Sequence, residues 1–414
     1  MMLIAAAGSG DTEVKGILEG LAAKAGLSLE GAKIRRSSSR FCLGVEHGDY
    51  NGTELFGVGT DRFLWMAYKP NDTGRLRLFS GNFENDGLID VALNAIPAPG
   101  TDPDSWARFP LGVAWLLKRE GYTLTKGMDA VLYGNIPGGG MSRSASLTLN
   151  LLISLAEING IPLGQEMHTV DLAQAVENDY IGSPCGNLDQ IMILFAKEGM
   201  GTHYNPADRS IRHVPLGPSA PDFRIMSLDT GTLRPGLEKS TYKIRHAECR
   251  ELATLCAEPF GITTLGDVRD EKLYSSILTK FGGSHPHLCR RLTYIYGAQQ
   301  RFGEMLKAWK GGDVVTVGKI FREDGLGLRD DYQISGKELE TMCDIARTVP
   351  GVLGERMLGG GDKGASGALV LAQSVEAVRA AIATAYPRSH PEFAPCHAVH
   401  ACRMVDGITS LPSW

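Results

Sequence analysis

The chain has 414 residues, 43% of them hydrophobic and 21% charged, which supplies a large core and more than one domain. Its 42 Lys and Arg against 47 Asp and Glu leave a net charge of −5 with no long basic run, which argues against nucleic acid or an anionic membrane surface as a partner. The eight cysteines lack a CxxC pair and read as reduced thiols, while Met1 to Ala7 is too short and too poor in basic residues for an export signal, so a cytoplasmic location and no membrane span are expected.

In chain order, Glu13 to Ala25 has the apolar spacing of an amphipathic helix. Leu55 to Lys69 and Arg75 to Phe79 are rich in β-formers and predict strands. Trp106 to Arg119 reads as a helix, and Asp129 to Tyr133 as a strand that runs into a glycine-rich loop. The apolar helix that follows, Leu147 to Ile158, is expected to be buried. Helical segments Val170 to Val176 and Asn187 to Lys197 come next, then strands Gly201 to Tyr204 and Phe223 to Leu228. The Gly217-Pro218-Ser219-Ala220-Pro221 linker suggests a domain boundary. Helices are expected over Tyr242 to Cys256, Pro286 to Lys310 and Asp331 to Arg347. A glycine turn, Gly359 to Gly364, precedes a strand from Ala368 to Ala372 and a helix through Ala385.

Three segments carry chemistry. Arg40 to Gly52 packs an arginine, Glu46, His47, Asp49 and a tyrosine between glycines, a lining suited to a polyhydroxylated ligand or, more simply, a solvated polar turn. The loop Pro137, Gly138, Gly139, Gly140, Met141, Ser142, Arg143, Ser144, Ala145 lies between a strand and a helix. Free backbone amides and the helix dipole there would favour an anion, although the loop lacks the lysine of the usual P-loop and equally suits a plain helix-capping turn. Asp189 opens an apolar helix, placed to accept a proton from a bound hydroxyl or to complement the helix dipole. Glu177 reads as a surface charge or a magnesium ligand. The run Cys396-His397-Ala398-Val399-His400-Ala401-Cys402 divides its ligating side chains between two faces of a strand, so packing rather than zinc is expected. His285 and His287 are expected in an exposed loop.

Taken together, these segments resemble the motifs of the GHMP small-molecule kinases, and among them the galactokinases. Arg40 to Asn51 resembles the signature around G-E-H-T-D-Y-N, and Pro137 to Ser146 resembles P-L-G-A-G-L-S-S-S-A-S. Ala175 to Gln190 resembles the segment ending G-I-M-D-Q, and Tyr242 to Cys249 lies in the match to N-T-G…Y-N-x-R-R-x-E-C. Leu328 to Tyr332 resembles S-L-R-D-D-Y, and Gly354 to Gly364 resembles G-A-R-M-T-G-G-G-F-G-G. The motifs occur in the family's order over most of the chain.

The resemblance implies a two-lobed α/β (α+β) fold, with lobes at residues 1–217 and 218–414 and the active site in the cleft between them. It implies an ATP- and Mg²⁺-dependent sugar-1-kinase acting on galactose. A kinase for galacturonate, N-acetylgalactosamine or L-arabinose, and a non-catalytic sugar sensor, are the alternatives. By position, Asp189 would be the base toward the sugar's C1 hydroxyl and Arg40 the charge stabiliser. Glu46, His47, Asp49, Gly186 and Tyr242 would contact sugar, while Ser144 and Glu177 would hold magnesium. The Pro137 to Ala145 loop and Trp106 would hold ATP. The partners would be sugar and ATP alone, for a monomer or a homodimer. The chain departs from the pattern at Leu43-Gly44-Val45, Gly48, Arg143 and Asp362-Lys363. Arg143 is expected to clamp phosphate or to face solvent, and Lys363 to lie at the surface.

Overall fold

The computed structural model describes residues 10–101, 105–233 and 239–412; the Met1 to Ala7 segment lies outside them. The N-terminal part begins with α1 (Asp11–Ala25), which Gly26 ends in the left-handed conformation at φ 66°, its amide turned back to the Ala22 and Ala23 carbonyls. Next come β1 (Lys33–Gly44), β2 (Leu55–Asn71), β3 (Arg75–Ser80), β4 (Ile89–Ala92), α2 (Arg108–Arg119) and β5 (Gly127–Gly134). They are followed by α3 (Arg143–Ile158), α4 (Met167–Ala175), a π-helical turn (Val176–Ile181), α5 (Leu188–Leu194), β6 (Met200–Asn205) and β7 (Ser210–Pro215).

The second part holds β8 (Phe223–Asp229), α6 (Thr241–Phe260), α7 (Glu271–Phe281), α8 (Pro286–Gly311), α9 (Val314–Asp330) and α10 (Lys337–Arg347). It ends with β9 (Val352–Met357), β10 (Ala365–Leu371), α11 (Val375–Ser389), β11 (Ala398–Cys402) and β12 (Thr409–Leu411).

The strands form two sheets. The first is eight-stranded, in the order β12-β1-β2-β5-β3-β4 with β6 and β7 added along the start of β2, and only β3 and β5 run parallel. The second is antiparallel, in the order β11-β8-β10-β9. Strand β2 is buried over most of its length because both faces are covered. Its alternation sends Phe63, Trp65 and Ala67 to a cluster with Val14, Leu18 and Leu21 of α1. Leu64, Met66 and Tyr68 go to the opposite face, in the main core with α2, α3, α4 and α5. In the second sheet Met226, Leu228, Ala368 and Val370 pack on Met342 and Ala346 of α10 and Val378 and Ile382 of α11. Ile225 and Leu369 face the main core.

Two elements differ from the sequence expectation. The helix expected over Asp331 to Arg347 begins only at Lys337, because α9 ends at Asp330 and the chain turns through Gln333 at φ 55°. His285 and His287 are not in a free loop: His285 is the N-cap residue of α8 and His287 sits in its first turn. We keep the division at 217/218 as a proposal with one amendment. The C-terminal strand β12 returns to pair with β1, Ile34 opposite Leu411, so the last residues belong with the first sheet.

Candidate active site

A cavity of about 310 Å³ is lined by residues from both parts of the chain. Its walls come from the end of β1 and the turn after it, the loop before α3, the π-helical turn, the start of α5, Tyr242 of α6 and the Gly359-Gly360 turn.

At its floor lies Arg40, 2% exposed. Its Nε and Nη2 reach Asp189 Oδ1 at 2.7 and 2.6 Å, and Nη1 donates to the Gly140 carbonyl at 2.7 Å. Burial works against the guanidinium charge, but the Asp189 and Glu46 carboxylates outweigh it and hold the Arg40 pKa above the ordinary arginine value. Asp189 is in the first turn of α5, where the helix end favours a carboxylate, and its side chain keeps 34% exposure toward the cavity. One strand residue thus joins a helix-borne carboxylate to the backbone of the glycine loop.

The turn after β1 carries the polar group read from the sequence. Glu46 is buried, 3.7 Å from Arg40 Nη2 and 3.2 Å from Nη2 of Arg356. Burial raises its pKa, and the two arginines oppose that rise. His47 adopts φ 62° and its Nδ1 lies 2.9 Å from the Tyr50 hydroxyl, with its ring against those of Tyr242 and Tyr332. Asp49 Oδ2 accepts the Leu188 amide at 3.2 Å, tying this turn to the start of α5. Burial pushes its carboxyl up to about 6, against the pull of that amide. Gly186 is required by this contact: a Cβ there would lie 2.1 Å from Asp49 Oδ2. Tyr242 is buried and lines the same wall.

The glycine loop crosses over to the second sheet. A Cβ on Gly139 would stand 2.7 Å from the Gly364 Cα, so two backbones touch where any side chain would part them. Gly138, Gly139, Gly140, Ser142, Arg143 and Ser144 line the cavity, whereas Pro137 and Ala145 do not and instead shape the ends of the loop. Ser142 adopts φ 61°, and its Oγ is buried without a hydrogen-bond partner among the described residues. That unsatisfied hydroxyl, at the entry to α3, suits an anion-bearing ligand. Arg143 is half-buried at the cavity wall, without an ion pair among the described residues: its guanidinium lies 5.4 Å from the Phe83 ring, and it lowers the pKa of Asp229, a β8 carboxyl that burial pushes up to about 6. Trp106 is buried, lines the cavity and stacks with Phe83 at 6.5 Å. Phe83, in the connection between β3 and β4, had no sequence signal of its own.

Glu177 is no surface charge. It lies buried in the π-helical turn and accepts from Gln190 Nε2 at 3.1 Å. Burial and the nearby Asp189 charge push its carboxyl up to about 7, opposed by the Ser144 hydroxyl and the Gln190 amide. Ser144 and Glu177 are therefore together at the cavity wall. The two odd residues of the final glycine motif separate in role. Asp362 Oδ2 accepts the Thr241 amide at 2.7 Å and so caps α6, the helix that carries Tyr242. Lys363 is exposed and does not line the cavity. In the Cys396 to Cys402 run, His400 sits opposite Ser227 on the β8 edge, and burial lowers its pKa to about 4.

Residues 108–197 match the family model described as GHMP kinases N terminal domain. The fold is also that of the Methanococcus jannaschii mevalonate kinase, with a TM-score of 0.60 at 14% identity over 90% of this chain and 98% of that one. Fold and site thus define a small-molecule kinase of the GHMP class. The Streptococcus suis galactokinase is 32% identical over 353 residues, 84% of this chain and 88% of that protein. The structure of Lactococcus lactis galactokinase complexed with galactose superposes with a TM-score of 0.88 at 28% identity, covering 96% of this chain and all of the other. The chain belongs to the galactokinase family.

Proposed function

We propose that this enzyme transfers the terminal phosphoryl group of ATP to the anomeric C1 hydroxyl of galactose. The observation that carries the reading is the Arg40–Asp189 pair, bonded at 2.6–2.7 Å and joined through Arg40 to the Gly140 carbonyl. It sets a base, a cation and the phosphate loop around one point, and phosphoryl transfer requires mainly such alignment and charge neutralisation. Asp189 accepts the C1 proton, while Arg40 stabilises charge on that oxygen and on the transferring group. ATP lies along the Gly138 to Ser144 loop with its base toward Trp106 and Phe83, and Arg143 adds positive charge beside the phosphates.

The residues present suit a magnesium ion. Ser144 and the buried carboxylate of Glu177 stand together, and a hard dication takes oxygen donors of this kind along with nucleotide phosphates. Bound there, Mg²⁺ supplies charge neutralisation to the phosphates. With ATP as co-substrate, the reading includes a cytoplasmic location.

Sugar choice follows from Glu46. Its carboxylate lines the cavity and accepts a hydrogen bond from a neutral C6 hydroxyl, with His47, Asp49, Gly186 and Tyr242 around the ring. A uronate would place a second negative charge against it. Lys363, outside the cavity, does not intervene, and Arg356 lies behind the wall. The test is kcat/KM for galactose, 6-deoxygalactose, L-arabinose, N-acetylgalactosamine and galacturonate with ATP and Mg²⁺. Galactose is expected to lead, with loss of the C6 hydroxyl costing about 1–3 kcal/mol. A preference for galacturonate would overturn the assignment.

A further inference from the structure

Arg356 lies on β9, in the second sheet, and is 1% exposed. Its guanidinium stands 4.4 Å from the Phe321 ring of α9. Nη2 donates to the Cys42 carbonyl at 2.8 Å and reaches Glu46 Oε2 at 3.2 Å. Cys42 borders the irregularity where the β1–β2 register shifts. One arginine therefore holds both the end of the strand that carries Arg40 and the carboxylate two residues beyond it. Its Nε and Nη1 are buried and have no hydrogen-bond partner among the described residues.

A buried guanidinium with idle N–H groups is costly, and an apolar side chain at such a site is often as stable or more so. Packing alone does not account for this arginine. Glu46 explains it, because Arg40 is already committed. Three of its contacts lie at 2.6–2.7 Å, on Asp189 and Gly140, while Glu46 is 3.7 Å away, beyond hydrogen-bond reach. The guanidinium within hydrogen-bonding distance of Glu46 is that of Arg356. Without it, the charged neighbour left to the carboxylate would be Arg40, whose Nη2 stands 3.7 Å away, so that a shift of a few tenths of an ångström would set Glu46 in competition with Asp189 for that guanidinium.

We propose that Arg356 is a positioning residue that engages Glu46 from behind the cavity wall, aiming it at the sugar and keeping it from drawing Arg40 away from Asp189. The proposal rests on the reading of Glu46 as a sugar contact, and it divides labour between the two arginines: one serves the sugar-binding carboxylate, the other the reacting oxygen.

The test compares Arg356→Met, Arg356→Lys, Glu46→Gln and the double variant Glu46→Gln/Arg356→Met, with galactose and ATP varied separately and folding followed by thermal melting. Arg356→Met is expected to raise the galactose KM about 10-fold and to lower kcat by about the same factor, with the ATP KM unchanged. Arg356→Lys keeps the charge but not the fork, and is expected to recover kcat more than KM. The deciding readout is the double variant. With no carboxylate left to capture Arg40, its kcat is expected to return to that of Glu46→Gln, a recovery that damage to packing would not produce. If the galactose KM rises in Glu46→Gln but kcat in the double variant stays as low as in Arg356→Met, the positioning role is overturned and the Glu46 reading stands. If Glu46→Gln leaves the galactose KM unchanged, the sugar contact is overturned, and the kcat recovery alone decides whether Arg356 protects Arg40. Should Arg356→Met fail to fold, Arg356→Lys against Glu46→Gln/Arg356→Lys gives the same comparison.

Discussion

Asp189 is the residue on which the proposed chemistry turns, and its surroundings state what a substitution should do. It keeps one edge open to the cavity and gives the other to Arg40. Asp189→Asn preserves shape and polarity but removes the base. Turnover is expected to fall about 10²-fold or more while calorimetry still detects sugar binding; turnover near that of the parent would remove Asp189 from its role. Asp49 makes a pH prediction. Burial lifts its carboxyl from 3.8 to about 6, so between those values the folded state holds a proton that the unfolded chain has lost. Its contribution to stability is then full below pH 3.8 and is lost as pH rises through 6. Asp49→Asn, which cannot ionise, should therefore melt higher than the parent at pH 8, by about 1 kcal/mol given the water that the open cavity brings, and the gap should close near pH 4. An equal gap at both pH values would contradict this. Arg40, Glu46, Asp49, Ser144 and Asp189 stood out in the sequence because each sits in a motif, whereas Glu177 by itself read as a surface charge and was singled out only by the family resemblance; all six line one cavity. Arg356 also falls in a motif, at the arginine of the Gly354 to Gly364 segment, but nothing local assigned it a role: its partner is a carboxylate 310 positions away in the chain.

Helix α9 shows why elements were harder to read than motifs. Its sequence, VVTVGKIFREDGLGLRD, includes three glycines, each of which lowers helix propensity, and it was not expected as a helix. The structure supplies the reason for two of them. A Cβ on Gly318 would lie 2.6 Å from that of Leu353, and one on Gly325 would lie 2.4 Å from that of Arg356. Small residues let α9 press against β9, which in turn carries Arg356 toward Glu46. By contrast β2 and α3 were legible, since both are long and strongly apolar. The crossing of the two glycine turns makes a prediction at this scale. In Gly139→Ala the new methyl meets the Gly364 backbone at 2.7 Å, and no rotamer relieves a backbone clash. The expected cost is about 1–3 kcal/mol of stability, together with a rise in the ATP KM as the loop is displaced. Unaltered ATP kinetics in a folded Gly139→Ala protein would show that the loop's contact with Gly364 does not set its shape for the nucleotide.

At the scale of the molecule, the cleft is assembled from both parts of the chain. The first supplies Arg40, Asp189 and the glycine loop; the second supplies Tyr242, Gly359 and, from behind, Arg356 and Tyr294, whose hydroxyl donates to the Glu46 carbonyl at 2.8 Å. The order of motifs along the chain made the two-lobed fold legible, but the return of β12 to β1 could not be read, because three residues at a chain end carry too little pattern to name a partner. The cleft as proposed directs a phosphoryl group to C1 of galactose. Incubating the enzyme with ATP, Mg²⁺ and galactose labelled with ¹³C at C1, and reading the product by ³¹P and ¹³C NMR, decides whether it does. The expected product is a sugar phosphate whose phosphorus couples to the labelled C1; phosphorylation at any other carbon, or ATP turnover without a sugar phosphate, would overturn the assignment.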